Sequence, residues 1–133
     1  MEEKSNDATP NRPAGERLLQ AELLEMDLNK AIQQIKEEPA WKSSDRNAVT
    51  LFKSDKLRIL VIALHSGAEL KTHTAPGVIT VQVLEGAMSF HANDRSVELS
   101  EGQMVTLASG VPHGVVARKE SVFLLTIALQ ENA

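Results

Sequence analysis

The sequence predicts a mainly β protein, a single antiparallel barrel of short strands preceded by a short helix. From residue 47 onward, nine β-rich runs alternate with turn residues, at the spacing of about 8 to 12 residues that is typical of sandwiches and barrels. Nothing from residue 47 to residue 130 has the periodicity of a long helix or of a solenoid repeat. The length of 133 residues and the hydrophobic content of 42% suit one domain with its own core.

The composition divides the chain into three parts. Residues 1–14 are polar and contain Pro10 and Pro13, so we expect a flexible tail that buries too little apolar surface to order itself. We expect residues 15–44 to form a helical extension. Residues 45–133 then form the barrel.

The extension contains helix-favouring residues from position 17 to position 36. Its second half carries an apolar stripe at three- and four-residue spacing, at Leu28, Ala31, Ile32 and Ile35. Asp27 is the expected N-cap of this helix, and Pro39 is expected to end it. The apolar residues 18–26 suit either a first helical segment or a short extended one.

Two of the predicted strands show no polar alternation, ILVIALH at residues 59–65 and VFLLTIAL at residues 122–129. A strand that is apolar on both faces is buried on both faces. One face fills the barrel, and we expect the helical extension and a second subunit to cover the other. The pattern therefore favours a homodimer.

Charge and composition exclude several classes of partner. The formal net charge is −4 with no basic stripe, which argues against nucleic-acid binding. No apolar run reaches the roughly 18 residues that a membrane span requires, and the N-terminus lacks a secretory signal, so we expect a cytoplasmic protein without a membrane partner. Because the chain has no cysteine, any metal must be held by His, Asp, Glu or water.

Glycines and histidines recur in two motifs. The first motif (glycine, five residues, His-x-His, three or four residues, Glu, six residues, glycine) falls on Gly67, His73, Ala75, Ile79 and Gly86. The second (glycine, five residues, Pro-x-Gly, two residues, His, three residues, Asn) falls on Gly102, Ala108, Gly110, His113 and Ala117. Together they resemble the cupin superfamily, in particular its small single-domain, RmlC-like members of the conserved barrel type.

The resemblance covers about residues 45–130 and implies a jelly roll, also called a double-stranded β-helix. It favours a brief strand over helix at residues 18–26, because small cupins often have an additional N-terminal strand. It also adds to the expectation of a dimer, because small cupins commonly form dimers. It does not imply a reaction, since one fold hosts many activities.

In the family, the three His and the Glu of the motifs hold Fe, Mn, Ni or Zn. Ala75 and Ile79 occupy two of these four positions and offer no metal ligand, which leaves His73 and His113. Two imidazoles without a carboxylate make a weak site, so no cofactor is certain and a divalent metal would be held weakly. By alternation from His73, Glu69 or Lys71 would reach the same site.

The same positions predict an apolar pocket around the two histidines. Alternation along VITVQVLE puts three apolar residues on the inner face of the barrel, and AMSFHA continues that face. The expected contacts of a small organic ligand are His73, His113, Ala75, Ile79, Val81, Val83 and Phe90.

Four functions follow from this pattern. The favoured one is a barrel that binds a small organic molecule, with two histidines and a degenerate metal site. The alternative is a metal-dependent enzyme of the dioxygenase, isomerase or decarboxylase type that uses His73 and His113. A metal-independent acid/base enzyme of the epimerase type ranks below them because the chain has no tyrosine. A purely structural dimer module is the fourth, and no catalytic residue is assigned.

Four other residues have expected structural roles. His65 lies at a strand end, and His91 is expected in an exposed hairpin turn. Gln82 is expected on the outer face of its strand, and Trp41 is expected to anchor the helix to the barrel.

Overall fold

The computed structural model describes residues 22–130. Its helices are α1 (Leu28–Glu37) and α2 (Pro39–Ser43). Its strands are β1 (Arg46–Lys53), β2 (Leu57–Leu64), β3 (Glu69–His73), β4 (Gly77–Glu85), β5 (Ala87–Ala92), β6 (Arg95–Ser100), β7 (Met104–Leu107), β8 (His113–Ala117) and β9 (Ser121–Leu129).

The predicted fold class is confirmed. Each of the nine β-rich runs forms a strand whose ends lie within two residues of the expected ones. The tail predicted for residues 1–14 lies outside the described residues, as do residues 18–21 of the segment 18–26, whose described part from Glu22 is neither helix nor strand. No helix of the described residues is long and apolar enough to cross a membrane.

The strands form two antiparallel sheets with the core between them. One sheet has the order β1-β2-β9-β4-β7, and the other has the order β3-β8-β5-β6. Strand β3 of the first glycine motif therefore pairs with β8 of the second, and β4 of the first pairs with β7 of the second. This crossing is why two motifs that are distant in sequence meet at one end of the barrel.

Alternate side chains of both sheets fill the interior. The residues of this core that are at most 5% exposed include Leu60, Ile62, Leu64, Ile79, Val81, Val83, Met88, Phe90, Leu99, Val115, Ala117 and Phe123. Period-two alternation therefore assigns every strand an inner and an outer face.

The two helices cover part of the outer face of the five-stranded sheet. Their buried residues, Ala31, Ile35 and Trp41, pack against Val61 and Val122 of the strands that are apolar on both faces. Burial against the helices thus explains the missing polar alternation in β2 and β9.

Both predicted ends of the first helix are present. The Asp27 carboxylate caps α1 by accepting hydrogen bonds from the backbone amides of Asn29 and Lys30. Pro39 follows the end of α1 and also starts α2 at its first turn, where the missing N–H of proline is not needed.

The motif glycines lie in turns where only glycine is relaxed. Gly67, Gly86, Gly102 and Gly110 all have positive φ. At Gly86, φ is +89°, and a Cβ atom would also collide with the carbonyl oxygen of Glu120. The turn between β4 and β5 therefore requires glycine for both conformation and space.

Candidate functional site at the mouth of the barrel

The structure brings the two motif histidines into contact. His73 ends β3, His113 begins β8, and the two are direct cross-strand partners. Their ring centroids lie 4.5 Å apart with the planes inclined at 54°. We call the end of the barrel that carries His73, His113, Ala75 and Ile79 the mouth.

A bulge in β3 aims His73 into the mouth. Leu70 pairs with Val115 and His73 pairs with His113, so β3 has one more residue than β8 between these pairs. The extra residue reverses the alternation, and Leu70 rather than Glu69 faces the core. The expectation that Glu69 reaches the mouth is therefore wrong, since this residue is exposed opposite Val116 on the outer face.

Backbone carbonyls hold both imidazoles in the same way. The Nδ1 of His73 lies 2.7 Å from the carbonyl oxygen of Lys71, and the Nδ1 of His113 lies 2.9 Å from that of Val111. A carbonyl oxygen can only accept, so each Nδ1 carries a proton, and an imidazole in its neutral form then has its lone pair on Nε2. Lys71 lies in the bulge and supplies this carbonyl to His73.

The two histidines differ in their environment. His113 is only 4% exposed and its ring stacks on Phe90 at 5.7 Å, whereas His73 is exposed. Burial lowers the pKa of His113, the hydrogen bond to Val111 raises it in part, and the neighbouring His73 and His91 lower it further. His113 is therefore held in its neutral form near pH 7.

The predicted apolar residues lie at different depths. Ala75 is half-buried beside the core, and Ile79 is buried on β4 at the mouth. Val83 lies four residues further along β4, or about 13 Å deeper at the usual rise of a strand, and Val81 lies between them. Val83 thus belongs to the closed core, whereas Ile79 lies nearer the start of β4 and Phe90 stacks on His113.

The metal centre that the motifs imply does not fit these residues. Ala75 and Ile79 have no donor atoms at two of its four positions. Within residues 22–130, no three His, Cys, Asp or Glu side chains are grouped so that they could hold a metal ion. His73 and His113 are thus two ligands short of the family's set.

His65, Trp41 and Gln82 have the expected structural roles. His65 follows β2 and stacks on Trp41 at 3.5 Å, with its Nε2 2.8 Å from the Trp41 carbonyl oxygen. These contacts fix α2 to the barrel. Gln82 lies on the outer face of β4, since its neighbours Val81 and Val83 belong to the core.

His91 departs from expectation. It is half-buried within β5, and it pairs with Gly114 rather than projecting from a hairpin turn. Its imidazole occupies the space that a side chain at position 114 would take. Gly114 therefore allows this ring to lie flat on the outer face of the sheet.

Arg58 and Lys53 are residues at the mouth that the sequence interpretation missed. Arg58 pairs with Ile127, which pairs with Ile79 on the inner face, and Lys53 pairs with Arg58. The Nε atom of Arg58 is buried. Alternation back from Leu60 would have placed Arg58 inside the barrel.

A cavity beside the helices is separate from the mouth. It has a volume of about 550 Å³ and is lined by Gln34, Glu37, Glu38 and Pro39. It shares no residue with the mouth, and its lining carries none of the motif residues.

Comparison with known proteins agrees with the sheet topology and the motif positions. The family model described as Cupin domain matches residues 60–128. No curated protein matches the chain.

Solved structures of similar fold are numerous. A conserved protein of unknown function from Streptococcus pyogenes aligns with a TM-score of 0.68 and 25% identity over 84% of this chain and 92% of its own. The TT1209 protein of Thermus thermophilus aligns with a TM-score of 0.65 and 20% identity over 81% of this chain and 100% of its own. An RmlC-like cupin of Shewanella frigidimarina aligns with a TM-score of 0.61 and 19% identity over 66% of this chain and 79% of its own. The family match and the shared fold show that this chain belongs to the cupin family, with alanine and isoleucine at two of the family's four metal-ligand positions.

Proposed function

We propose that this cupin binds a small organic molecule at its mouth, with His73 and His113 as hydrogen-bond acceptors. The observation that carries the proposal is the bond from each Nδ1 to a backbone carbonyl oxygen, of Lys71 and of Val111. In the neutral form of each ring, Nε2 is then the atom that can accept a hydrogen bond from a ligand.

The surroundings of His113 support an uncharged hydrogen-bond acceptor at this residue. Burial lowers the pKa of His113, so its Nε2 keeps its lone pair at pH 7. Phe90 stacks on its ring, and Ile79 is a buried apolar residue at the same end of the barrel. Pockets for small molecules combine such apolar walls with a few convergent polar groups. The ligand expected here has a hydroxyl or N–H donor on an apolar body.

A metal-dependent enzyme of the dioxygenase, isomerase or decarboxylase type is the alternative function. Anchoring of Nδ1 by a carbonyl also orients imidazoles that bind metals through Nε2. Catalytic metal sites normally use three protein ligands, and the described residues supply two. An acid/base epimerase ranks lower, since the chain has no tyrosine to act as the acid.

Fragment binding observed by fluorine NMR tests the proposal. Fragments with a hydrogen-bond donor should lose at least about tenfold in affinity in His73→Ala and in His113→Phe, because a lone pair that accepts from them is removed. Phenylalanine is chosen at position 113 because the site is buried and an alanine would leave a cavity. Gln82→Ala, on the outer face, is the control and should leave affinity unchanged.

Two results would contradict the proposal. The first is equal fragment binding to the wild type and to both histidine variants. The second is stoichiometric metal that remains in untagged protein during dialysis, measured by elemental analysis, which would favour the metal-dependent enzyme instead.

A further inference from the structure

The bulge of β3 places two residues opposite a single residue of β8 beside the mouth. That single residue is Gly114, which lies between the two residues of β8 that pair with the ends of the bulge. In a regular strand continued from Leu70, the next inward side chain would be that of Thr72, and His73 would face outward. The bulge therefore decides which residue lies beside His113.

The ring of His91 lies on the outer face of the sheet, next to the start of this bulge. His91 belongs to β5 and pairs with Gly114 from the other side of β8. A Cβ atom built on Gly114 would lie 2.6 Å from Cε1 of the His91 ring and 2.9 Å from the carbonyl oxygen of Leu70, where the bulge begins. The ring and this carbonyl therefore border the same point. Because Gly114 has no side chain, the imidazole of His91 fills the space there.

We propose that His91 is a positioning residue of the mouth, whose ring holds the β3 bulge and so keeps His73 on the inner face beside His113. The bulged and the regular strand differ by one residue of register, and such a shift moves the following side chains to the other face. The ring of His91 occupies space that the Leu70 carbonyl would enter if the bulge closed towards Gly114. The inference rests on the proposed function, because the position of His73 matters for binding only if this residue contacts the ligand.

NMR of the full chain without ligand tests the inference, because the ring of His73 can be observed directly. In the wild type, the imidazole nitrogen shifts of His73 should show a proton on Nδ1, and its ring should give a nuclear Overhauser effect to the ring of His113. In His91→Ala both signals should be lost, since no ring then fills the space over Gly114. The Nδ1 proton of His113 should remain, which shows that the variant is folded at the mouth.

Three further variants make the test specific. His91→Phe keeps a flat ring over Gly114 and should give the wild-type signals of His73. Gly114→Ala should release His73 although His91 is present, because its Cβ would displace the ring and press on the Leu70 carbonyl. Ser96→Ala is the control, since this exposed residue pairs with His91 on the side away from Gly114 and should change nothing.

Fragment binding connects the bulge to the proposed function and keeps the two apart. The affinity for donor fragments should fall at least about threefold in His91→Ala, towards that of His73→Ala, and recover in His91→Phe, because one acceptor leaves the site. Wild-type signals of His73 in both His91→Ala and Gly114→Ala would overturn the inference, whatever fragments the protein binds. Release of His73 in these variants, in a protein that binds no donor fragment, would support the role of His91 in the bulge and contradict the proposed function.

Discussion

His73 and His113 are cross-strand partners with ring centroids 4.5 Å apart, yet only His113 is buried. The difference arises because His73 is the last residue of β3 at the rim, whereas the ring of His113 lies on Phe90. The ligand proposed above would therefore meet His73 at the surface and His113 within the barrel. Both residues are histidines, but His113 is the one whose pKa is lowered by burial.

The first prediction concerns acid stability. Burial lowers the pKa of His113 below its ordinary value of about 6.5. At a pH between the lowered value and the ordinary one, the unfolded chain therefore binds more protons than the folded chain. The contribution of His113 to the free energy of unfolding is fully present above pH 6.5 or so and is lost as the pH falls through the lowered value. Urea unfolding between neutral and mildly acidic pH should show this loss.

His113→Gln serves as the matched variant because it keeps a polar side chain of similar size that does not titrate. Its unfolding free energy should fall less steeply with decreasing pH than that of the wild type. Identical pH profiles for the two proteins would mean that His113 titrates alike in both states.

The second prediction separates conformational strain from steric collision at two glycines. Gly86 and Gly102 have nearly the same positive φ, +89° and +86°, but only at Gly86 would a Cβ meet other atoms. Gly102→Ala should cost about 1 to 2 kcal/mol of unfolding free energy from strain alone. Gly86→Ala should cost clearly more, since Glu120 and Ser121 of the neighbouring turn must also move.

Chemical denaturation of both glycine variants provides the measurement. Equal losses of unfolding free energy would show that the turn at Gly86 relaxes without cost and would contradict the prediction.

The third prediction is that Trp41 anchors the helices. It is 7% exposed, stacks on His65 and packs in the cluster between the helices and the barrel. Trp41→Ala should lower the free energy of unfolding by about 3 to 5 kcal/mol, as is usual for a buried aromatic residue. Trp41→Phe keeps most of the packing and should lose much less. Circular dichroism is the appropriate probe, because both variants lack the only tryptophan.

The fourth prediction is a homodimer formed by the outer face of the five-stranded sheet. The helices cover Val61 and Val122 on this face, but Val78 remains 44% exposed and Met104 50% exposed. We expect sedimentation at micromolar concentration to give the mass of two chains. Val78→Lys combined with Met104→Lys should give one chain, because charges in an apolar interface are costly to desolvate.

Ser96→Lys, at an exposed position of the four-stranded sheet, is the control for added charge and should leave the dimer intact. A wild-type protein that sediments as a single chain would contradict the prediction.

The strands could be predicted from sequence because their signals are local. Glycines such as Gly86 and Gly102 mark turns, and the apolar runs between them have the right length and alternation. The pairing of His73 with His113 followed from the family's motifs and not from any local pattern.

What the sequence did not predict depends on contacts between strands. The bulge that turns Leu70 rather than Glu69 inward is defined by the register against β8. The position of His91 depends on the missing side chain of Gly114 across the sheet. Arg58 differs, since its alternation with Leu60 was visible but no local signal showed which face was inner.

The fifth prediction restores the family's metal ligands. Ala75→His with Ile79→Glu places an imidazole and a carboxylate beside His73 and His113, giving the four ligands that the two motifs imply. Without metal the variant should lose about 2 to 4 kcal/mol of stability, because Ile79 is 2% exposed and its neighbours in the sheet, Ile127 and Leu107, are apolar. With Mn²⁺ or Zn²⁺ its melting temperature should rise, since binding to the folded state alone shifts the equilibrium.

Thermal melting and calorimetric titration of four proteins make this test specific. The wild type and Ala75→His should show little or no stabilisation by metal. Ile79→Glu alone should be unstable, and added metal should stabilise it less than it stabilises the double variant. Such a pattern would mean that positions 75 and 79, rather than the shape of the barrel, account for weak metal binding in this cupin. A wild type stabilised by metal as much as the double variant would instead show that His73 and His113 find further ligands of their own, and it would support the enzyme alternative.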